Sequence, residues 1–355
     1  MSTHPREELP RSYEEAMADE NQTTWNAAIK EELEALVENN TWQAVSLSSA
    51  KRTLTTKWVF SVKRDGEGRI VKLKARLVVR GFEQSHGVDF FQTFAPVARL
   101  ESIRTLLAVG AATKRKMVRF DISTAFLNGV IGEEVFIEPP QGYQIDSGSC
   151  LRLRKALYGL KQAPRAWNST FDSALKALDF NPTLSDQCVY IHKGLSTIVV
   201  VYVDDGIILA DTEQECVRVL DSIKAQFKLR RLDGSLFLGI EIEYKDGIYL
   251  TQSRYIKDIV DRFNLGSANE VSSLIAHAED LLETDEPEIS APYRQALGCL
   301  QYLACYTRPD IASSTDWLSQ FDGTPRSRHW TAVKRVIKYL KGTSDLGIFI
   351  EKMKE

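Results

Sequence analysis

The stretch Ile198-Val199-Val200-Val201-Tyr202-Val203-Asp204-Asp205-Gly206-Ile207-Ile208-Leu209-Ala210 places two adjacent aspartates between two apolar runs. Each run has the composition of a buried strand, so the sequence predicts a β-hairpin over 197–211 with the acids at its tip. A buried carboxylate is costly unless it is paired or binds a metal, which favours a cation site. Asp-Gly is also a common turn dipeptide, and for the dipeptide alone a plain turn is an equally good interpretation.

A third carboxylate comes from an earlier predicted strand. Residues 117–120 have strand character and lead directly to Asp121, and the chain then turns away over 123–127. If this strand and the hairpin are neighbours in one sheet, Asp121 and Asp204 form a ligand pair, with Asp205 as a third ligand or an orienting group. Two divalent ions held by carboxylates suit phosphoryl transfer, and Mg²⁺ or Mn²⁺ prefers such oxygen ligands.

Charge is strongly segregated along the chain. The 355 residues carry 45 Lys and Arg against 48 Asp and Glu, and the net charge is −3. Residues 1–40 hold ten acids and three bases, whereas 51–80 hold ten bases and two acids. Two further blocks, 152–165 and 324–342, hold five and six bases and no acid. One such block is commonly only a solvated face, but three of them together with a carboxylate site favour a polyanionic partner.

Cysteine usage and the N-terminus bear on the compartment. The five cysteines are an odd number and contain no C-x-x-C spacing, which indicates a reducing environment. Cys188 and His192 are close in sequence but have no further ligands nearby, so we interpret them as ordinary structural residues. No signal sequence and no apolar run of roughly 18 residues occurs, and we expect an intracellular protein with no membrane segment.

Apolar periodicity defines the remaining elements. A basic β-hairpin is predicted over 57–79, with its turn at 65–68, and a strand delivers Asp121. Helices are predicted over 23–37, 101–113, 163–178, 214–227, 291–306 and 329–341. The acidic stretch 279–288 is predicted to be a surface loop or linker. Because strands and helices interleave without regular alternation, the sequence predicts an α+β fold.

Several motifs occur in an order that resembles the reverse transcriptase of copia-type LTR retrotransposon polyproteins, over nearly the whole chain. The motifs are NTW at 40–42, WVF at 58–60, KARLVVRGF at 74–82, TFAPV at 93–97, DISTAFLNG at 121–129, LYGLKQAPRAW at 157–167, YVDD at 202–205, FLGI at 237–240, TRPDI at 307–311 and YLKGT at 339–343. Each motif alone is weak, but their number, order and spacing are specific to this family.

The resemblance implies a right-hand polymerase with a palm sheet, fingers and a helical thumb-like C-terminal region. The implied parts are an N-terminal helical extension at 1–50, fingers at 51–115, palm with the first acid at 116–150, a fingers/palm helix at 151–180, palm with the Asp-Asp hairpin and grip at 181–245, and thumb and connection without RNase H at 246–355.

The resemblance also implies roles for individual residues. Asp121, Asp204 and Asp205 would be catalytic, and together with Ile122 they would form the metal site for two Mg²⁺ or Mn²⁺ ions. Phe126, five residues after Asp121, would exclude the ribose 2′-hydroxyl; its alternative role is core packing, which Leu127 would otherwise perform.

Further implied residues would contact the nucleotide. Lys63, Lys74 and Arg76 are candidates to bind the triphosphate, with Arg76 preferred, although each could instead contact template phosphate or solvent. Gln162 and Arg165 would support the nascent base pair, and Arg165 could equally serve helix–strand packing.

The implied function is RNA-directed DNA polymerisation from dNTPs onto a primed RNA or DNA template. Its implied setting is a polyprotein that also carries integrase and RNase H regions, in cytoplasmic virus-like particles and in the nucleus. The alternative is a catalytically inactive nucleic-acid-binding remnant. This alternative is motivated by the absence of those partner regions and by the unusual spacing of the loop 230–237, which puts the primer grip and a proton donor such as Lys228 in question.

Overall fold

The computed structural model describes residues 9–64, 69–233, 236–244, 247–275, 279–282 and 285–351. They form two compact units: the first comprises residues up to Ala98 and Val118–Arg231, and the second comprises Arg99–Met117 and the residues from Leu232 onward. Helices and strands interleave in both units, so the predicted α+β class is confirmed.

The predicted helices are all present, each within a few residues of its expected bounds. The α-helices are α1 Tyr13–Ala18, α2 Gln22–Glu38, α3 Leu100–Ala112, α4 Ala163–Ala177, α5 Glu213–Lys224, α6 Ser253–Arg262, α7 Tyr293–Tyr306, α8 Ala312–Ser319 and α9 Ser327–Gly342. Local chemistry sets some ends: Pro164 lies in the first turn of α4, where its missing N–H costs nothing, and Thr212 caps the N-terminus of α5.

The strands include both predicted hairpins. They are β1 Trp42–Ser46, β2 Thr56–Arg64, β3 Ile70–Val79, β4 Lys116–Ile122, β5 Phe136–Ile137, β6 Ser149–Leu153, β7 Phe180–Pro182, β8 Val189–His192, β9 Ile198–Tyr202, β10 Asp205–Ala210, β11 Leu229–Leu232, β12 Leu236–Phe237, β13 Ile240–Tyr244, β14 Gly247–Thr251 and β15 Ile348–Glu351. The predicted turn of the basic hairpin, at 65–68, lies outside the described residues.

One sheet of the first unit is decisive for the site, and its strand order is β11-β4-β10-β9-β8-β7. The strand that carries Asp121 is therefore hydrogen-bonded to the second strand of the Asp-Asp hairpin, as the sequence analysis required. Apolar residues of these strands pack with α4 and α5 in one core that includes Phe120, Trp167, Phe171 and Ile208. This core fixes the position of the strand ends that carry the acids.

A separate core in the first unit supports the basic hairpin. Trp58, Phe60 and Leu77 of β2 and β3 pack with Trp25 and Leu36 of α2. The outer edge of β3 is covered as well, because the Glu32 carboxylate accepts a hydrogen bond from the Leu77 N–H at 3.3 Å. Burial raises the pKa of Glu32. An edge strand covered in this way is protected from pairing with another chain.

The second unit joins residues that are far apart in the chain. Residues 99–117 belong to it, and α3 packs there against β14 and β15. The unit continues from Leu232 onward. The apolar face of α3 matches these later strands, a pairing that local periodicity does not encode.

Much of the third basic block, 324–342, serves the fold. Arg328 pairs with Asp285 and with Glu286, the latter at 3.5 Å. Arg335 donates to Ser273, and Lys341 donates to the carbonyls of Gly266 and Ala268. Three of the six basic side chains of the block thus hold neighbouring loops, and binding of a polyanion by the block stays a prediction.

The predicted acidic loop is only partly a loop. Glu279–Leu282 form a 3₁₀ turn with Leu281 buried, and the Leu281 carbonyl lies 2.8 Å from the His329 ring. Residues 283 and 284 lie outside the described residues. The stretch is therefore tied to the start of α9. No helix in the described part of the chain is both long and apolar enough to cross a membrane.

A buried arginine organises the second unit. Arg308 is 1% exposed and binds both oxygens of Asp310, at 2.9 and 2.7 Å. It also donates to the Thr343 carbonyl and hydroxyl, and Tyr339 donates to Asp310. Burial acts to raise the pKa of Asp310, but the hydrogen bonds and charge of Arg308 and the Tyr339 hydroxyl outweigh it and leave that pKa below its ordinary value.

We therefore expect Asp310→Asn to lower the free energy of unfolding by about 2–4 kcal/mol at neutral pH, because it leaves the Arg308 charge buried without its anion. Chemical denaturation measures the change. Because the carboxyl pKa is depressed in the folded chain, this stabilisation is present above the ordinary pKa and is lost as the pH falls through the folded value. The difference between variant and wild type should thus shrink below about pH 4. Asp316→Asn, an exposed change on α8, is the control and should have little effect.

Candidate active site

The hairpin tip has a two-residue turn formed by Val203 and Asp204. Tyr202 pairs with Asp205 across the hairpin, and Asp205 and Gly206 already belong to β10. The turn therefore contains Asp204 but not the Asp205-Gly206 dipeptide, which begins two residues after the start of the turn. Val203 has a φ of 60°, a conformation that turns of this length usually assign to glycine and that costs a β-branched residue about 1–3 kcal/mol.

Two hydrogen bonds hold this strained turn in place. The Trp167 indole N–H donates to the Val203 carbonyl at 2.6 Å, and the Ile122 N–H donates to the Asp204 carbonyl at 2.8 Å. Trp167 projects from α4, is 2% exposed and packs its ring against Phe171. Both carbonyls at the tip are thus bound by rigid parts of the fold, which fixes the direction of the Asp204 side chain.

Close packing between β4 and β10 brings the first acid to the pair. A Cβ atom built on Gly206 would lie 2.1 Å from the Phe120 ring, so only glycine fits beneath that ring. Phe120 is fully buried, and Asp121 follows it directly. Asp121 and Asp205 are therefore delivered on neighbouring strands of one sheet.

The three carboxylates influence one another electrostatically. Burial raises the pKa of Asp205 to about 6, with further contributions from the negative charges of Asp204 and Asp121. Burial also raises the pKa of Asp204, and the charge of Asp121 adds to the effect. Such mutual repulsion in a partly desolvated site makes the binding of cations favourable.

A cationic side chain already lies against the first acid. The Arg230 Nε donates to Asp121 Oδ1 at 3.2 Å in an ion pair. The donors of the site are carboxylate oxygens, which suit hard divalent cations such as Mg²⁺ and Mn²⁺. Ile122 has a buried side chain, so only its backbone carbonyl could join them. Among the described residues, no three His, Cys, Asp or Glu side chains have the spacing of a formed metal site.

The basic hairpin presents one positive face to this region. Lys63 of β2 pairs with Lys72 of β3, and Lys74 and Arg76 follow on the same face at alternate positions. Burial lowers the pKa of Lys74, and the positive charges of Arg76, Lys63, Lys72 and Arg230 lower it further. The residues predicted to bind the triphosphate therefore share one face, and the Arg230 charge also acts on Lys74.

Phe126 lies in a short 3₁₀ turn, Ala125–Asn128, directly after the first acid. Leu127 is 1% exposed and fills the core, whereas Phe126 is only half-buried. The Phe126 ring meets Tyr158 edge-to-face, with 4.9 Å between the centroids. Of the two neighbours, Leu127 is thus the core residue, whereas Phe126 is only partly buried against the core. The role of Phe126 at the sugar stays a prediction.

Gln162 and Arg165 are engaged elsewhere. The Gln162 side chain is 2% exposed and lies between the Gln84 side chain and the Asp89 carbonyl, at 2.9 and 2.8 Å. The Gln162 side chain thus holds the loop that contains Gln84 and Asp89, and its support of a base pair stays a prediction. Arg165 is exposed and donates to the Phe94 carbonyl at 3.3 Å.

Three further residues belong to this region and were not predicted from the sequence, namely Trp167, Arg230 and Tyr158. Trp167 and Tyr158 stand inside the motif at 157–167, but no local pattern links them to the hairpin tip or to Phe126. Arg230 lies two residues after Lys228, and its position next to Asp121 depends on the pairing of β11 with β4. Only strand order could have revealed that contact.

We expect Trp167→Phe to loosen the hairpin tip, because the change keeps an aromatic ring in the core and removes the donor to Val203. Amide exchange at Ile122, whose N–H binds the Asp204 carbonyl, should accelerate by about fivefold relative to the Val199 amide, the equivalent of one hydrogen bond. Hydrogen–deuterium exchange with NMR or mass-spectrometric detection measures this rate. Trp58→Phe removes a comparable indole donor, to the Gln141 carbonyl, and should leave Ile122 unchanged.

A family model described as reverse transcriptase (RNA-dependent DNA polymerase) matches residues 39–276. The retrovirus-related Pol polyprotein from transposon TNT 1-94 of Nicotiana tabacum is 36% identical over 94% of this chain and 26% of its own length. That from transposon RE2 of Arabidopsis thaliana is 36% identical over 97% of this chain and 24% of its own.

Among solved structures, that of the foamy viral protease-reverse transcriptase in complex with RNA/DNA hybrid matches with a TM-score of 0.45 and 15% identity. The match covers 90% of this chain and 37% of that one. The chain spans about a quarter of the length of the curated relatives. The matched residues include the three acids, the basic hairpin and Trp167, and this chain belongs to the reverse transcriptase family, among the Pol polyproteins of copia-type retrotransposons.

Proposed function

We propose that this chain is the polymerase region of a copia-type Pol polyprotein and catalyses RNA-directed DNA synthesis. The observation that carries the proposal is the delivery of Asp121, Asp204 and Asp205 by two hydrogen-bonded strands of one sheet, with the turn held by Trp167 and Ile122. A plain structural hairpin has no need of three partly buried carboxylates that repel one another. Family membership supplies the reaction class.

Asp121, Asp204 and Asp205, with the Ile122 carbonyl, are the proposed holders of two Mg²⁺ or Mn²⁺ ions. When bound, such ions would lower the pKa of the primer 3′-hydroxyl and stabilise charge on the α-phosphate and the leaving pyrophosphate. Arg230 must then leave Asp121 or share it. The clamped turn contributes orientation, since the Asp204 backbone is fixed before any substrate arrives.

The basic face of the hairpin is the proposed triphosphate contact. Arg76 and Lys74 carry positive charge close to the acids. The charge of Arg76 opposes the rise in the pKa of Asp204 that burial and Asp121 cause. A guanidinium can bind phosphate oxygens in a bidentate manner, which supports Arg76 as the principal contact. Lys63 is exposed, whereas Lys74 is half-buried, and Lys63 suits the outer phosphate or the template strand.

Phe126 is the proposed discriminator of the sugar, and Gln162 and Arg165 support the template side through the loop that they hold. Proposed partners are a primed RNA or DNA template, dNTPs, and the integrase and RNase H regions of a full polyprotein. We propose cytoplasmic virus-like particles and the nucleus as its locations. The fingers, palm and thumb boundaries of the sequence analysis remain proposals.

Primer extension on poly(rA)/oligo(dT) with dTTP and Mg²⁺ or Mn²⁺ tests the proposed function. Incorporation supports a polymerase. Binding of the duplex without incorporation would instead favour an inactive nucleic-acid-binding remnant, and that binding should weaken steeply as the salt concentration rises.

Asp204→Asn should reduce extension to below about 1% of wild type, because a neutral amide holds a divalent cation poorly. Steady-state primer extension measures the loss, and thermal unfolding checks that the variant is folded. Asp221→Asn, an exposed change on α5, is the matched control and should keep wild-type activity. Full extension by the Asp204 variant would remove this residue from the metal site.

Phe126→Ala should increase ribonucleotide incorporation by about 10- to 100-fold relative to deoxyribonucleotide incorporation, because the ring that would contact the 2′-position is lost. The ratio of kcat/KM for dTTP and UTP measures this selectivity. Leu127→Ala is the control: it opens the core and lowers stability without a change in the ratio. An unchanged ratio in the Phe126 variant would assign Phe126 to packing alone.

A further inference from the structure

Tyr158 stands between the two groups that the proposed function assigns to the sugar and to the triphosphate. Its ring meets Phe126 edge-to-face at 4.9 Å, and the Arg76 guanidinium lies over the ring at 5.4 Å from the centroid. Phe126 belongs to the turn after β4, and Arg76 belongs to β3. Among the described contacts, the Tyr158 ring thus packs against two residues, Phe126 and Arg76, whose elements are far apart in sequence.

The backbone fixes Tyr158 at this position. Its carbonyl accepts a hydrogen bond from the Val79 N–H at 2.8 Å, at the end of β3. Gly159 has a φ of +92°, and a Cβ atom there would lie 2.0 Å from the Val79 carbonyl oxygen. A Cβ atom built on Gly81 would likewise lie 2.0 Å from the Gly159 carbonyl oxygen. The basic hairpin and the segment that carries Tyr158 therefore interlock through their main chains, and the ring has a rigid base.

The surroundings of Tyr158 are those of the catalytic region. Burial raises the pKa of its hydroxyl, the nearby charge of Arg76 opposes this, and the charges of Asp204 and Asp121 add to the rise. The side chain is half-buried. The phenol is therefore neutral at physiological pH, and its contribution comes from the ring, which attracts a cation on its face and an aromatic edge on its side.

We propose that Tyr158 is a positioning residue that sets Arg76 and Phe126 relative to one another, and thereby couples nucleotide affinity to selection of the sugar. The inference rests on the proposed polymerase function and deepens it. Without the ring, the Arg76 guanidinium is free to adopt other rotamers, and Phe126 loses the surface that holds its edge. A correct dNTP would then find both contacts less ordered.

The ring and the hydroxyl separate experimentally. Tyr158→Phe keeps the ring and should retain wild-type KM for dTTP and wild-type discrimination between dTTP and UTP. Tyr158→Leu keeps the apolar volume and removes the ring; it should raise the KM for dTTP by about fivefold or more and lower discrimination by a similar factor, with a smaller change in kcat. A merely structural role would reduce the active fraction and leave both KM and discrimination unchanged.

A double-mutant cycle tests the coupling directly. Phe126→Ala should cost less discrimination in the Tyr158→Leu background than in wild type, because the two residues act as one unit. Additive effects, or a Tyr158→Leu variant with wild-type KM and discrimination in an active chain, would overturn the proposal and leave the proposed function standing.

Equilibrium binding separates the two failures when extension is absent. Titration of primer–template-bound chain with dTTP and UTP in the presence of Mg²⁺ gives affinities without chemistry, and Tyr158→Leu should weaken dTTP binding by about fivefold while Tyr158→Phe does not. If wild type binds dTTP but extends no primer, polymerase activity fails and the positioning role is still measured. If wild type binds no nucleotide, both proposals fail. Ring-current shifts at the Arg76 side chain, observed by NMR, should persist in Tyr158→Phe and vanish in Tyr158→Leu in a folded chain.

Discussion

Repulsion among three partly buried carboxylates is the constraint around which the first unit is built. Burial and mutual charge raise the pKa values of Asp204 and Asp205, so the site is costly to form without a cation. The fold holds the acids together through contacts that do not depend on the acids themselves. Phe120 packs onto Gly206, the Ile122 N–H binds the Asp204 carbonyl, and Trp167 binds the neighbouring carbonyl.

The strained turn of the hairpin is held by a specific hydrogen bond. Val203 adopts a positive φ that costs free energy, and a buried indole donor restrains its carbonyl. Conformational cost of this kind persists only where the surroundings over-determine the local geometry. A relaxed turn would permit the Asp204 side chain to move away from Asp121, and the metal-binding chemistry proposed for the site depends on their proximity.

Positive charge is distributed in two distinct ways. On the basic hairpin, Lys74 and Arg76 lie on one face, where the charge of Arg76 lowers the pKa of Lys74 and opposes the rise in the pKa of Asp204. In the C-terminal block, Arg328 and Arg335 bind acids and hydroxyls of nearby loops. Two stretches of the chain with a similar density of Lys and Arg thus have different roles. The basic hairpin is a candidate nucleotide surface, whereas these arginines of the C-terminal block stabilise the fold.

The α+β class, the approximate bounds of six helices, both hairpins and the family follow from the chain alone, because apolar periodicity and ordered motifs are local properties of the sequence. It also pointed to Asp121, Asp204 and Asp205 as one group, conditional on strand order. Tertiary structure alone decided that β4 lies beside β10, that the turn is Val203–Asp204, that Gln162 is buried, and that Arg230 pairs with Asp121. It also decided that Tyr158 joins Phe126 to Arg76. These contacts join residues 20 or more positions apart or depend on one-residue register, and neither hydrophobic pattern nor turn propensity carries that information.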